Sequence, residues 1–410
     1  MNPLFRTISV MLLCSTLLSM MSCREEPKAK VVVCVPVYGQ SLALGEEAAI
    51  ITDIDNLTEK YNGRLVGESL DDGFGYYENT GWKQYVKRCL RLDSRRYENS
   101  CFAMGEALAS KLGSDTMVCV FAGGRGATPI EQLVKGGEPY KSLLDNIGKS
   151  YEKACEKGLE FYVPAICWMQ GESDMYDYTR VNYKALLKQF ADDVNRDIKL
   201  LTHQHDDVKI ICYQSCCLAK CLKFRATDYD CYEATIPQAQ LELIIGDSLF
   251  EAGTPIYFLD FVNHKLHLAG KGQQTVGRYN AMSALDIIRH TTSRSGLYPS
   301  SVSTHDDKAY VTVRTGSGHL AFDTIQVKKA PNYGFSVITP DGRDIATSVS
   351  LRDSIVEISA SESVKGCKVR YAVNGDKGKS GRFYGARGNL SLRKAGHLPE
   401  WCYMFSVVVP

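Results

Sequence analysis

"VVVCVPVYGQSLALG", residues Val31 to Gly45, is the stretch whose reading decides the fold. A β-branched apolar run stops at a Gly-Gln-Ser turn. Apolar runs without alternation read as strands covered on both faces, as in parallel sheets. In open sheets of that kind, functional groups gather in the crevice beyond the carboxyl ends of the strands. Ser41 would sit there. Three residues alone read equally as an ordinary polar turn, so the rest of the chain has to decide.

The pattern recurs. "TMVCVFAGGRG" begins at Thr116, "FYVPAICWMQGESD" at Phe161, "VKIICYQS" at Val208 and "TPIYFLDF" at Thr254. Between them lie helical patterns at Asn99 to Leu112, Tyr140 to Lys157, Tyr178 to Leu201 and Ile236 to Ile245, with a last long helix ending near Arg289. Strands alternating with helices predict a parallel sheet with both faces covered and right-handed crossovers. Glu46 to about Arg96 reads as irregular. Within it, the aromatic loop Asp71 to Trp82 could stack on a sugar ring or pin itself. From about Thr291 the helices stop. "KAYVTVRT", "GFSVITP", "SIVEISA", "CKVRYAV" and "MFSVVV" alternate and are separated by Gly, Asp, Asn and Ser. They predict a small antiparallel β-sandwich. The expected division is a leader over 1–23, a tether over 24–30, an α/β domain over 31–292 and a β-sandwich over 293–410.

The 410 residues are 44% hydrophobic and 23% charged with a net charge of +1, an ordinary globular composition sized for about two domains. Near-zero net charge gives no reason to expect nucleic acid as a partner. Arg6 and the apolar run Ile8 to Met21, too short to span a bilayer comfortably, read as a targeting segment. It ends in "LLSMMSC", which resembles a bacterial lipoprotein signal with Cys23 as the lipidated residue. That implies a cell-envelope protein held at a membrane only by its anchor. A plain secretory leader with a chance Cys is the other reading. Of the 15 Cys, Cys34, Cys119, Cys167 and Cys212 lie inside strand-like runs and read as small core hydrophobes. The group Cys212, Cys216, Cys217, Cys221 and Cys231 lacks paired C-x-x-C units. A disulfide within it fits better than a metal.

The strand ends collect chemistry. They offer Ser41 after the first strand, Gly123 and Gly124 after the second, Gln170 and Glu172 after the third, and His267 beyond the fifth. A serine hydroxyl needs a base to take its proton. An imidazole suits that task and can return the proton to a leaving alcohol. A carboxylate on the other ring nitrogen fixes the tautomer, and amide donors hold a tetrahedral oxyanion. Together these groups fit acyl transfer from an oxygen ester. Plainer readings exist for each: a surface or capping His267, a helix-start carboxylate at Glu172, a core Trp168.

"GQS", "WMQGESD" and "HLAGKG", in this order, resemble the SGNH-type carbohydrate esterases, closest to the sialate O-acetylesterase and acetylxylan esterase group. The resemblance spans roughly Val31 to Arg289. It implies an SGNH-hydrolase-like, flavodoxin-like five-stranded parallel sheet, an O-acetylated carbohydrate substrate and no cofactor or metal. Carried over by position, Ser41 is the nucleophile and His267 the base. Gln170 is the side-chain oxyanion donor, beside the amides of Ser41 and Gly123 or Gly124. Gln40 and Arg125 are candidate substrate contacts. Two positions depart from the pattern. Leu42 stands where Asn is common, and His264 stands where many members carry the Asp that orients the His. Glu172 is therefore expected to orient His267, with Asp260, seven residues before it, as the rival. A non-catalytic carbohydrate-binding lipoprotein on a degenerate esterase scaffold is the alternative from another class.

Overall fold

The computed structural model describes residues 29–61, 63–67, 75–76, 97–176, 182–216, 235–291, 296–313, 315, 318–376 and 378–409. The leader with Cys23, most of the aromatic loop 71–82, and Cys217, Cys221 and Cys231 lie outside them.

The opening run forms two strands, β1 (Val31–Cys34) and β2 (Val37–Gly39), parted at Pro36, which cannot donate to the ladder. Its neighbours are parted likewise. They are β5 (Thr116–Cys119) with β6 (Phe121–Gly124), and β7 (Glu160–Tyr162) with β8 (Ala165–Met169), which are broken at Val163 and Pro164. Short strands β3 (Leu65–Val66) and β4 (Gly75–Tyr76) form one edge; β9 (Lys209–Gln214) and β10 (Phe250–Pro255) form the other side. The ladders run β3-β5-β1-β7 and β10-β9-β8-β2-β6-β4, and every pairing in them is parallel. Counted from Val31, the five long strands lie in the order 2-1-3-4-5, the flavodoxin-like arrangement. The expected α/β class holds, with one short strand position added outside the second strand.

Helices cover both faces. After the one-turn helix α1 (Ser41–Leu44) and α2 (Ile54–Tyr61) come α3 (Ser100–Lys111), α4 (Glu138–Glu156), α5 (Tyr183–Thr202), α6 (Thr235–Gly246) and α7 (Gly270–Ile288). α3 packs on α7, while α5 packs on both α4 and α6. The core runs through the sheet. Val32, Val37, Phe121, Ile166 and Ile210 are fully buried. Trp168 is buried too, 4.7 Å from the ring of Phe190, and so is core rather than a sugar platform.

Two expectations need correcting. The segment after Glu46 is not wholly irregular, since it holds α2 and β3. The fifth strand lies earlier than the run Thr254 to Phe261. Its ladder stops at Pro255, and the apolar residues beyond serve a different purpose. Tyr257 Oη donates to the Cys402 carbonyl at 2.7 Å, and Phe258 stacks on Trp401 at 4.7 Å. The run is hydrophobic because it forms a seam with the C-terminal region. A short apolar run cannot by itself separate a strand from a packed connection.

The named strands of the C-terminal region pair antiparallel, with one isolated parallel bridge between Leu297 and Cys402. The region holds a four-stranded sheet of β11 (Pro299–His305), β12 (Lys308–Val313), β16 (Ile355–Ala360) and β15 (Ala346–Arg352), in that order. Two three-stranded sheets join it: β13 (His319–Phe322), β18 (Leu390–Arg393) and β19 (Glu400–Trp401), and β14 (Phe335–Ile338), β17 (Lys368–Tyr371) and β20 (Phe405–Val408). The strands with high exposure, β11 and β15, were not separable by pattern from loops.

Candidate active site

Ser41 opens α1 directly beyond β2. The chain reaches it through Gln40, whose N–H donates to the Met169 carbonyl at 3.1 Å, tying the ends of β2 and β8 together. As first residue of a helix, Ser41 has no intrahelical acceptor for its N–H. Its side chain is almost fully buried. Gly124 stands beside this turn at φ 115, and a Cβ there would lie 1.9 Å from the Gly39 carbonyl. Only glycine lets β6 end so close to β2. Arg125 N–H then donates to that Gly39 carbonyl at 3.0 Å.

His267 arrives from far along the chain. Beyond β10 the backbone makes an excursion, residues 260–269, closed at its neck by hydrogen bonds. Ala269 N–H donates to the Asp260 carbonyl at 2.9 Å, and Val262 N–H to the His267 carbonyl at 2.8 Å. On the returning leg, His267 Nε2 comes to 3.0 Å from Ser41 Oγ. The two residues are 226 positions apart in sequence, and 13% of the imidazole side chain is exposed.

The carboxylate beside the other ring nitrogen is Glu47. Its Oε2 lies 2.9 Å from Nδ1, at ion-pair distance but off the N–H axis, so Nδ1 has no aligned acceptor among the described residues. The local fold explains its arrival. α1 ends after one turn because Gly45 takes the left-handed conformation (φ 75), where a Cβ would lie 1.9 Å from the Glu98 carbonyl. The chain reverses, and Glu47, itself at φ 64, returns toward Ser41. A non-glycine residue in that region costs about 1–3 kcal/mol and persists only where its surroundings hold it. Buried Glu98 supplies that hold. It accepts from Ile51 N–H at 2.8 Å, Thr52 N–H at 2.9 Å and Thr52 Oγ1–H at 2.5 Å. From the other side Gln273 Nε2 on α7 donates to the Leu42 carbonyl at 2.9 Å.

Glu172, expected to orient His267, is engaged elsewhere. It is fully buried and accepts from Tyr213 Oη (2.8 and 2.7 Å to its two oxygens) and Ser215 Oγ (2.6 Å), joining the ends of β8 and β9. Burial, with Glu172 beside it, pushes the Tyr213 phenol well above its usual range, so it remains a donor. Asp260 pairs with Arg382 at 2.6 Å. Among the described residues, the carboxylate within ion-pair distance of His267 Nδ1 is therefore Glu47, not Glu172 or Asp260.

Gln170 is fully buried at the end of β8. Its Nε2 donates to Asp174 and, at 3.2 Å, to the Thr128 carbonyl, so the amide hydrogens expected at an oxyanion are committed. Asp174 also accepts Ile130 N–H at 3.0 Å. Burial raises its carboxyl to about 6, against the lowering effect of the bonds from Gln170 and Ile130. Gln40 accepts Ser173 N–H at 3.2 Å through Oε1. Arg125 is half-buried and already engaged. Cys212 and Cys216 are free thiols, and among the described residues no group of three His, Cys, Asp or Glu could hold a metal.

A buried hydroxyl against an imidazole, with a carboxylate behind it, can form and break an acyl ester. Residues 78–240 match the family model described as carbohydrate esterase, sialic acid-specific acetylesterase. The esterase match covers less than half of the chain. It includes the Trp168 to Asp174 string but neither Ser41 nor His267. No curated protein matches the sequence. Among solved structures, a carbohydrate acetylesterase from Xanthomonas citri is similar over 91% of this chain and 80% of that one, with TM-score 0.59 and 13% identity. That likeness speaks for a shared fold. A protein from Arabidopsis thaliana (17% identity, 62% of this chain, 98% of that one, TM-score 0.44) and the structure of NanS (11%, 64%, 99%, 0.37) are similar over smaller parts.

Glu47 is the residue that sequence reasoning missed. The only signal for it was Gly45, a helix-stopping residue two places before a carboxylate, and that signal predicts a turn without saying where it leads.

Proposed function

We propose that this chain is a serine esterase that removes O-acetyl groups from carbohydrate through an acyl-enzyme. The observation that carries the reading is the 3.0 Å approach of His267 Nε2 to Ser41 Oγ, with Glu47 at Nδ1. In this mechanism His267 takes the Ser41 proton as Oγ attacks the acetyl carbon. The tetrahedral oxyanion meets backbone N–H groups, with the amides of Ser41 and of Gly123 or Gly124 as the candidates. His267 passes its proton to the sugar hydroxyl as the C–O bond breaks. Water then repeats the cycle and releases acetate. Glu47 holds the tautomer and stabilises the imidazolium; catalytic hydrogen bonds are often poorly aligned before substrate arrives and tighten in the complex.

The family match over 78–240 supports acetylated carbohydrate, including sialic acid esters, as the substrate class. Hydrolysis of a chromogenic acetate, followed by acetate release from O-acetylated sialosides and xylans, tests this. Ser41→Ala should lose at least about 10⁴-fold in kcat. Unchanged turnover in that variant excludes the serine mechanism, and glycan binding by a wild-type protein without turnover points to a binding lipoprotein instead. We further propose that Cys23 carries a lipid anchoring the enzyme in the cell envelope, motivated by "LLSMMSC". Palmitate should label the wild type but not Cys23→Ala; equal labelling of both removes the anchor.

A further inference from the structure

The C-terminal sheets touch the catalytic half of the molecule at a telling place. Three consecutive residues, Ser380 to Arg382, lie along the excursion that carries His267. Ser380 N–H donates to the His264 carbonyl at 2.8 Å, and Arg382 N–H to the Leu259 carbonyl at 3.2 Å. The Arg382 Nε donates to Asp260 Oδ1 at 2.6 Å. A Cβ on Gly381 would lie 2.8 Å from both the Leu259 carbonyl and the Phe261 ring, so the turn lies flush against the excursion. The ring of His264 is met edge-on by Tyr384 at 4.7 Å. On its far side Arg382 is fixed within its own region, since its carbonyl accepts Lys328 N–H at 3.1 Å.

The β region gives the excursion an external hold. Asn263 and His264 are both left-handed, at φ 51 and φ 56, a conformation that survives only when the surroundings over-determine it. Its own hydrogen bonds close the neck at Asp260 and Ala269 and turn the tip, where His264 N–H donates to the Phe261 carbonyl at 3.1 Å and Lys265 N–H to the Val262 carbonyl at 3.0 Å. The β region adds contacts to the outer side of this closed loop, at the carbonyls of Leu259 and His264 and the carboxylate of Asp260. His267 is three residues from that tip, within about 11 Å of His264 along even a fully extended chain.

We propose that the C-terminal β region is part of the catalytic machinery, with Arg382 as a positioning residue that fixes the His267 excursion through Asp260. The inference rests on His267 serving as the base. It gives the β region a defined role, and it gives Asp260 one that does not involve the imidazole. A displacement of the base by about 1 Å can cost up to a hundredfold in rate.

The test uses the full chain and 4-nitrophenyl acetate, assayed well below each variant's melting temperature. Arg382→Met and Asp260→Asn should each lower kcat about ten- to a hundredfold while KM stays within twofold. The double variant should be no worse than either single one, because both remove the same pair. Arg382→Lys should recover much of the loss, which a general packing role would not produce. Wild-type kcat in Arg382→Met and Asp260→Asn, alongside an inactive Ser41→Ala, overturns the positioning role and leaves the serine mechanism standing. An active Ser41→Ala removes the mechanism and this inference with it. Should Arg382→Met not fold, the near-isosteric Asp260→Asn decides by the same kcat criterion.

Discussion

Two glutamates flank this site and differ in every physical respect. Glu172 sits in the most recognisable string of the chain, is fully buried, and has Tyr213 and Ser215 hydroxyls on its oxygens. Glu47 sits in no motif, has 57% of its side chain exposed, and lies 2.9 Å from His267 Nδ1. The first ties two strand ends together; the second is a solvent-facing carboxylate within ion-pair distance of the imidazole. A carboxylate's task follows from its partners, and prominence in the sequence reports only that a position is constrained. The whole Trp168 to Asp174 string has this character. Trp168 Nε1 donates to Tyr183 Oη at 3.2 Å, and Asp174 takes the Ile130 N–H.

The contrast can be broken by stability. Glu172→Ala leaves two buried hydroxyls without their acceptor and opens a cavity, a loss of about 3 kcal/mol or more in urea unfolding. Glu47→Ala, at an exposed side chain, should stay within about 0.5 kcal/mol. Equal losses at the two sites would erase the distinction.

A smaller effect sharpens the same picture through pH. The Asp174 carboxyl is raised to about 6 in the fold, above its ordinary value of 3.8. The folded state therefore binds the proton more tightly than the unfolded chain. Its stabilising contribution is complete below about pH 4 and is lost as pH rises through about 6, by up to about 3 kcal/mol. Asp174→Asn should flatten this part of the stability profile. A slope that persists unchanged between pH 4 and 6 assigns it to another group.

Much of the fold was legible because strand and helix periods are local. The run at Val31 and its repeats fixed a parallel sheet, and the switch of period after Thr291 marked the antiparallel region. The placement of Ser41 and His267 at or beyond strand ends was legible too, and the structure brings their side chains to 3.0 Å. Legibility failed where a role depends on where the chain turns back. Gly45 reverses the backbone and Glu98 pins Ile51 and Thr52 from 47 and 46 positions away, and neither acts through a periodic pattern. The run Ile256 to Phe261 misled for the same reason. Its partners, Trp401 and Cys402, are contacts made across the fold.

The account turns on which carboxylate serves His267, and turnover of a chromogenic acetate by Glu47→Gln and Glu172→Gln, measured side by side at a temperature where both are folded, addresses that directly. Glu47→Gln should lose about 10²-fold or more in kcat, below the ~10⁴ of a buried triad carboxylate because solvent screens it, while Glu172→Gln keeps its rate within a few fold. A Glu47→Gln enzyme at the wild-type rate beside a crippled but folded Glu172→Gln would contradict it.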